Sequence, residues 1–215
     1  MSTHRTRLKI VANGEYIDAE LHDELTLEDL LDAQALWAPG KIGIAKECLR
    51  RGTDRSLWPQ SLHWNWADKA SALKPYATGP LSVFRLMGMT ALAKWQGMLL
   101  ACCAGHHTRT GAPGRDLVYI EFVETAPWNW EVAAIGQTPA LRGIGIQLFE
   151  MAVRWSVDLG FRGRVGLHSL PQADTFYRDI CGMEDLGPDM KDKSQLRYFE
   201  LTEAQARAFL MEETP

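Results

Sequence analysis

The chain has 215 residues and a formal net charge of −4 at pH 7, so it lacks the basic surplus that a nucleic-acid-binding domain carries. Hydrophobic residues make up 46% and charged residues 23%, which is typical of a globular protein, and no apolar run approaches the ~20 residues that span a bilayer. The N-terminal stretch MSTHRTRLKIVANGEYIDAE lacks the apolar segment of a secretion signal, and the four cysteines without a CxxC pair indicate free thiols in a reducing, cytoplasmic compartment.

Helical signals dominate the first 80 residues. Thr26 and Asp29 form a capping-box pattern, with Asp in place of the usual Glu or Gln, at the start of TLEDLLDAQALW. The apolar residues of this segment share one helical face, and Pro39-Gly40 predicts where the helix ends. KIGIAKECLRRG predicts a second short helix that ends at Gly52, and PQSLHWNWADKASAL predicts a third.

Strand signals begin after residue 80. LSVFRLMGMTALAKW and GMLLACCAGHHT are two extended runs, and Gln96-Gly97 between them predicts a hairpin turn. LVYIEFVET, residues 117–125, is the most strand-like segment of the chain. In the loop that follows, APWNWEVAAIGQTPA, we expect a short extended piece at Val132–Ile135.

The last third of the chain alternates helices with strands. Apolar residues at steps of three and four predict a helix from Ile144 to Leu159, with Gly160 as its C-terminal cap. RVGLHS predicts a short strand, PQADTFYRDICGM a helix, and MEDLG with QLRYFEL a closing strand pair. Thr202 and Gln205 form a capping box for the last helix. This order predicts an α/β (α+β) protein with a mixed sheet.

Two glycines, Gly143 and Gly145, lie at the start of the longest of these helices. A helix N-terminus offers unpaired N–H groups and a partial positive charge. Residues without a Cβ let a diphosphate approach the backbone, and Arg142 adds a cation. The motif lacks the third glycine of a dinucleotide fingerprint and the Gly-Lys-Ser/Thr of a nucleotide-triphosphate loop. By itself it is therefore equally consistent with a purely structural turn.

A second pattern follows downstream, and its residues are Ala173, Phe176, Tyr177, Gly182 and Met183. Together with the glycine loop it resembles the GNAT superfamily of acyl-CoA-dependent N-acyltransferases, over roughly residues 80–201. One extra residue precedes the glycine of the pattern. The sequence also departs from the family at Ala140, where a Gln or Arg usually contacts the phosphates. A further departure is Leu170, where an Asn often contacts the pantetheine arm.

The resemblance implies a GNAT-like mixed, mostly antiparallel central sheet flanked by helices, and acetyl-CoA as co-substrate. The cofactor contacts that it implies are Val123, Thr125, Leu141, Arg142, Gly143, Ile144, Gly145 and Ile146. We expect one such domain over residues 1–215. It would have a mainly helical N-terminal part (1–80), a core sheet with the coenzyme A loop (81–201) and a C-terminal helix (202–215).

The implied reaction is the attack of a primary amine on a thioester, which needs a base, an oxyanion donor and an acid for the leaving thiolate. A carboxylate on the apolar strand LVYIEFVET is costly to bury, so Glu121 is the first candidate for the base and Glu124, on the opposite face, is the second. Alternatively, either carboxylate pairs with an arginine or meets solvent. The resemblance assigns Tyr177 as the acid and a backbone N–H around Val123 to Thr125 as the oxyanion donor.

The histidines give no metal signal in the sequence, because His106-His107 has no Asp, Glu or Cys at ligand spacing, and no metal is expected. His168 ends a strand near the implied acyl site, where it either aids proton transfer or is a satisfied core histidine. The segment SLWPQSLHWNWADK can form one wall of an acceptor pocket. Nearby acidic residues that can bind a cationic amine are Glu47, Asp54 and Asp68.

Three functions remain open on the sequence. The first is a cytoplasmic N-acetyltransferase that acts on a primary amine of a small molecule or a protein. The second is a catalytically silent acyl-CoA-binding module that regulates a partner, and the third is a nucleotide-phosphate binder that is not a transferase. Neither a nucleic acid nor a membrane is expected as a partner, and the sequence leaves open whether the chain forms a homodimer.

Overall fold

The computed structural model describes residues 3–73, 83–191 and 195–212, and the boundary expected near residue 80 lies outside these ranges. The described strands are β1 (Thr3–Ile10), β2 (Tyr16–His22), β3 (Phe84–Ala91), β4 (Lys94–Cys102), β5 (Val118–Thr125), β6 (Leu141–Arg142), β7 (Val165–Ser169), β8 (Glu184–Pro188) and β9 (Arg197–Leu201). The described α-helices are α1 (Leu27–Arg50), α2 (Trp66–Leu73), α3 (Ile144–Asp158) and α4 (Glu203–Glu212). None of these helices has the length and apolar character that a bilayer crossing needs.

The strands hydrogen bond in the order β6-β1-β2-β3-β4-β5-β7-β9-β8. The pairs β1–β2, β1–β6, β2–β3, β7–β9 and β8–β9 are antiparallel, and β5–β7 is parallel. This mixed, mostly antiparallel sheet with its helices confirms the predicted fold class. The chain divides into two compact units, Met1–Met98 with Val123–Gly145 and Leu99–Phe122 with Ile146–Pro215. Strands β4 and β5 each contribute residues to both units.

The first unit contains a hairpin of β1 and β2 that the mainly helical prediction for residues 1–80 missed. Its register runs from Thr3 opposite His22 to Lys9 opposite Tyr16. Most side chains of β1 are exposed, and Leu8 is the fully buried one. In β2 the apolar residues Ile17, Ala19 and Leu21 alternate with exposed ones, so this strand carries the period-two signal and the helical prediction overlooked it.

Helix α1 continues through Pro39 and Gly40 to Arg50, so the predicted stop at this pair was wrong and two predicted helices are one. Packing explains this, because α1 buries Trp37 and Ile44, and tertiary burial outweighs the roughly 3 kcal/mol that an internal proline costs. Gly40 has its own packing role. A Cβ placed on it would lie 3.2 Å from the Cβ of Pro127.

Three further predictions for the first unit need correction. The segment expected to form a third helix starts with a 3₁₀ turn, Gln60–His63, before α2 begins. The β3–β4 hairpin turns at Leu92-Ala93, with φ values of 53° and 55°, and not at Gln96-Gly97. The expected extended piece is instead a 3₁₀ turn at Ala133–Ile135, which ends at Gly136 in the left-handed conformation.

The second unit follows the sequence prediction more closely. Helix α3 ends one residue before the expected position, and Gly160 follows with a φ of 77°. The predicted closing pair is β8 with β9, and the Thr202–Gln205 capping box is formed by reciprocal hydrogen bonds. The helical segment after β7 is irregular, with a 3₁₀ turn at Pro171–Ala173 and a π-helical turn at Phe176–Ile180.

A buried carboxylate fixes the turn-rich loop of the second unit. Glu200 on β9 is fully buried, and its two carboxylate oxygens accept the backbone N–H groups of Arg109 and Thr110 at 2.7 and 3.1 Å. Desolvation raises the pKa of Glu200, and the two N–H donors oppose that rise. The loop is therefore attached to β9 by hydrogen bonds to a side chain.

Candidate active site

Strands β5 and β7 pair over a short distance and then separate. Their parallel register runs from Val118–Val165 to Ile120–Leu167, although β5 continues with Glu121 and Phe122 and β7 continues to Ser169. Strand β7 keeps its pairing with β9 over this length. The ladder between β5 and β7 therefore ends while both strands continue, and an extended ligand with amide groups can enter between the two strands there.

Glu121 lies at this separation, with a side chain that is 30% exposed. Its Oε1 atom is 3.8 Å from Nε2 of His106, which is a long contact for an ion pair. Desolvation raises the pKa of Glu121, as the sequence argument anticipated for a carboxylate on an apolar strand. Desolvation also lowers the pKa of His106. Both side chains are therefore held closer to their neutral forms.

Three potential metal ligands meet here, which the spacing in the sequence did not show. The Sγ atom of Cys102, a ring nitrogen of His106 and a carboxylate oxygen of Glu121 all lie within 4.8 Å of one another. This set can surround an ion such as zinc. A metal needs the thiolate, however, and burial raises the pKa of Cys102, which favours the thiol. His107 points elsewhere, with Nδ1 at 3.2 Å from Oδ1 of Asp116.

A chain of polar side chains extends from the same strand. The ring of Tyr119 stacks on His106 with centroids 4.0 Å apart, and its hydroxyl is 2.6 Å from Nδ1 of His168. Nε2 of His168 is 3.1 Å from Oδ2 of Asp189, which also accepts a hydrogen bond from Arg109 at 2.7 Å. Both ring nitrogens of His168 have partners, which matches the satisfied-histidine interpretation. Sequence analysis missed Tyr119, Asp189 and Arg109, because residues this far apart in the chain give no local signal.

Tyr177 lies in the π-helical turn and is 6% exposed. Its ring packs near the rings of Phe149, Phe176 and Phe199, with centroids 5.2 to 6.5 Å away. Desolvation strongly raises the pKa of Tyr177, so its hydroxyl keeps its proton across the ordinary pH range.

Glu124 occupies a buried ion pair in the first unit. Nζ of Lys41 donates to both carboxylate oxygens at 2.9 Å, and Nε1 of Trp66 donates to Oε2 at 2.7 Å. The side chains of Lys41 and Glu124 are 6% and 1% exposed. Lys41 also donates to the carbonyl of Trp64 at 2.8 Å. From the sequence, the alternative to a catalytic role was pairing of Glu124 with an arginine or contact with solvent. The structure shows a lysine, Lys41, as its partner.

The glycine loop joins a two-residue strand to α3. Leu141 and Arg142 form β6, and the N–H of Leu141 is donated to Oδ1 of Asn129 at 3.0 Å. Gly143 follows with a φ of 101°, a conformation that favours glycine, and α3 starts at the next residue. The first N–H groups of a helix have no partner within it, so the residues from Gly143 to Ile146 present donors at this end of α3.

The other residues predicted to bind the cofactor or an acceptor lie in the first unit. Val123 and Thr125 are half-buried on β5, and the carbonyl of Thr125 accepts a hydrogen bond from Trp130 at 2.9 Å. Glu47 pairs with two arginines at the C-terminal end of α1, Arg50 and the next residue Arg51. The carboxylate of Asp54 accepts the N–H of Ser56. Asp68 is exposed in the first turn of α2. Glu47 and Asp54 thus already have partners in the chain.

Solved structures of other proteins have a similar fold. The GNAT domain of S. lividans PAT has a TM-score of 0.52 at 12% identity, covering 93% of this chain and 96% of that domain. A putative arylalkylamine N-acetyltransferase from the yellow fever mosquito also has a TM-score of 0.52, at 10% identity, covering 93% of this chain and 94% of that one. The chain has the GNAT fold. The comparisons with protein-family models and with curated proteins found no match.

Two features of the structure agree with the arrangement expected from the sequence. The glycine loop leads from β6 into α3, and the strand with Glu121 runs beside the strand with His168. The resemblance that the sequence pattern predicted is therefore confirmed at the level of the fold. Identities of 10 to 12% show the fold and do not transfer an activity from these proteins.

Proposed function

We propose that the protein is an N-acetyltransferase that transfers the acetyl group of acetyl-CoA to a primary amine of a small molecule or a protein. The observation that carries this proposal is the end of the β5–β7 ladder at Ile120 and Leu167, before either strand ends. The pantetheine arm of coenzyme A contains two amides and is extended, so it suits a site between two strands whose pairing stops. Cytoplasmic location remains the expectation for such an enzyme.

The diphosphate of coenzyme A is assigned to the start of α3. Unpaired N–H groups and the helix dipole favour an anion there, and Arg142 is an exposed cation beside them. The N–H of Leu141 is already donated to Asn129, so the proposal relies on Gly143 to Ile146 for backbone donors. Val123 and Thr125 remain proposed contacts for the acyl end.

Acid–base roles follow from the environments of the side chains. Glu121 is the proposed base, because its raised pKa brings a carboxylate closer to the working range of an amine acceptor. Tyr177 is the proposed acid for the thiolate of coenzyme A, since its hydroxyl stays protonated. Glu124 remains the second candidate for the base, and its ion pair with Lys41 supports Glu121 as the first.

The test measures the release of coenzyme A from acetyl-CoA with a panel of primary amines. We expect turnover by the wild type and a loss of about 10²- to 10⁴-fold in kcat/KM for Glu121→Gln and for Tyr177→Phe. The control is Glu150→Gln, which changes an i,i+4 pair with Arg154 on α3 in the same unit. Acetyl-CoA binding without turnover on any amine would favour a silent binding module. Tighter binding of ATP than of coenzyme A would favour a nucleotide-phosphate binder.

A further inference from the structure

The second unit contains a hydrogen-bonded chain that the roles of Glu121 and Tyr177 do not use. It runs from Arg109 through Asp189 and His168 to the hydroxyl of Tyr119, over distances of 2.7, 3.1 and 2.6 Å. Asp189 and His168 are largely buried, with side chains 8% and 15% exposed. Water therefore competes little for these hydrogen bonds, and the two inner members, Asp189 and His168, each have a partner on both sides.

The charge of Asp189 sets the direction of these hydrogen bonds. The N–H of Lys191, the guanidinium of Arg109 and the ring of His168 hold the pKa of Asp189 well below its ordinary value. An ionised carboxylate only accepts hydrogen bonds, so Nε2 of His168 must carry a hydrogen. In the neutral ring this leaves Nδ1 as the acceptor, and the Tyr119 hydroxyl donates to it.

Tyr119 lies two residues before Glu121 on β5, so both side chains leave the strand on the same side. His106 bridges them, with its ring on that of Tyr119 and its Nε2 3.8 Å from Oε1 of Glu121. On β9, the ring of Tyr198 lies 5.0 Å from His168 and carries the guanidinium of Arg109 3.8 Å from its centroid. The ionisable groups around His168 on these elements are thus Tyr119, Asp189, Tyr198, His106 and Arg109.

Acetyl transfer to an alkylammonium group releases two protons from nitrogen. One must leave before the amine can attack, and the second leaves from the tetrahedral intermediate. The thiolate of coenzyme A takes up one proton when the C–S bond breaks, and the other goes to solvent. A site that handles both nitrogen protons benefits from a second proton acceptor beside Glu121.

We propose that Tyr119, supported by His168 and Asp189, is this second proton acceptor. As the Tyr119 oxygen takes a proton from the substrate nitrogen, the phenolic proton passes to Nδ1 of His168, and Asp189 stabilises the resulting imidazolium. Tyr119 is the catalytic residue in this step, and His168 and Asp189 position and polarise it. The inference rests on the proposed transferase function.

The first test determines the tautomer of His168 by ¹⁵N NMR, with the resonances assigned from the spectrum of His168→Gln. We expect the Nε2–H tautomer in the wild type and a measurable population of the Nδ1–H tautomer in Asp189→Asn. The matched control is Asp185→Asn, since Asp185 also accepts hydrogen bonds from arginines but does not contact His168. A wild-type spectrum with Nδ1–H would overturn the proposal, and so would no change in Asp189→Asn.

The second test compares pH profiles of kcat and KM for wild type, Tyr119→Phe and Asp189→Asn, after melting curves have shown that the variants are folded. We expect kcat to fall about 10- to 100-fold in both variants with the KM for acetyl-CoA unchanged, and the pH dependence to change shape. A kcat within twofold of wild type in Tyr119→Phe would overturn the proton role while leaving the transferase function intact. Absence of turnover by the wild type would overturn the transferase function, and the proton role with it.

Discussion

Glu121 and Glu124 are three residues apart on β5 and have different surroundings. Glu121 is partly exposed without a lysine or arginine partner in the described contacts, whereas Glu124 is buried against Lys41 and Trp66. Their opposite faces could be predicted from strand alternation. The lysine could not be predicted, because it lies 83 positions away in the chain. Local patterns therefore identified both candidate bases but did not distinguish their environments.

Removal of Lys41 should strongly destabilise the protein. Lys41→Met leaves the Glu124 carboxylate buried without its cation, and we expect the free energy of unfolding to fall by about 3–5 kcal/mol. The double variant Lys41→Met/Glu124→Leu should recover most of this loss. Urea unfolding measures both effects, and Arg50→Met, in an exposed pair on the same helix, is the control. Equal loss of stability in Lys41→Met and Arg50→Met would contradict the buried pair.

The raised pKa of Glu121 predicts opposite pH effects on activity and stability. As a base it must be ionised, so kcat/KM should rise with pH through an inflection above 4.5, and Glu121→Gln should lose that limb. Folding disfavours the ionised form of this carboxylate. Relative to wild type, Glu121→Gln should therefore gain stability as pH rises through the folded-state pKa, and show no gain in acid. A gain in stability of Glu121→Gln that appears only at acidic pH would contradict a raised pKa of Glu121.

At the scale of elements, sequence signals located helix starts better than helix ends and turns. Both capping boxes form, and Gly160 ends α3. The proline rule failed in α1, since the burial of Trp37 and Ile44 stabilises the helix on both sides of Pro39. The turn at Leu92-Ala93 was missed because it lacks the Asn or Gly that usually adopts positive φ.

This turn provides a stability test. Ala93→Gly should raise the free energy of unfolding by about 1 kcal/mol, because Ala93 has a φ of 55° that glycine adopts without steric cost. Ala133→Gly is the matched control, since Ala133 is exposed in a 3₁₀ turn and does not have positive φ. Chemical denaturation should show a loss of stability for Ala133→Gly. A loss of stability in Ala93→Gly would contradict the positive φ of Ala93 in this turn.

At the scale of the whole molecule, the order of elements after residue 80 predicted a mixed sheet, and the glycine loop with the pattern from Ala173 to Met183 indicated the GNAT fold. The N-terminal hairpin was missed, because most of β1 is polar and exposed and the alternation of β2 was overlooked. The hydrogen-bonded chain around His168 was missed because its members are far apart in the sequence. Tyr119, His168 and Asp189 become neighbours only when β5, β7 and the segment after β8 come together.

Binding of coenzyme A should stabilise the folded protein in proportion to the logarithm of ligand concentration above Kd. Arg142→Gln should weaken this binding by about 3- to 10-fold, because the exposed guanidinium lies beside the proposed diphosphate site. Arg154→Gln makes the same substitution on the exposed side of α3 and should leave Kd unchanged. Calorimetric titration with coenzyme A measures both constants, and equal Kd values would contradict a diphosphate at this end of the helix.

Glu200 illustrates how a residue remote from the reacting atoms can control them. By accepting the main-chain amides of Arg109 and Thr110, it determines where the Arg109 side chain begins, and Arg109 in turn holds Asp189. The substitution Glu200→Ala removes these two hydrogen bonds without changing any residue of the hydrogen-bonded chain from Arg109 to Tyr119. We expect Glu200→Ala to displace Arg109 and Asp189, to disturb the orientation of the His168 imidazole and so to lower the proposed activity.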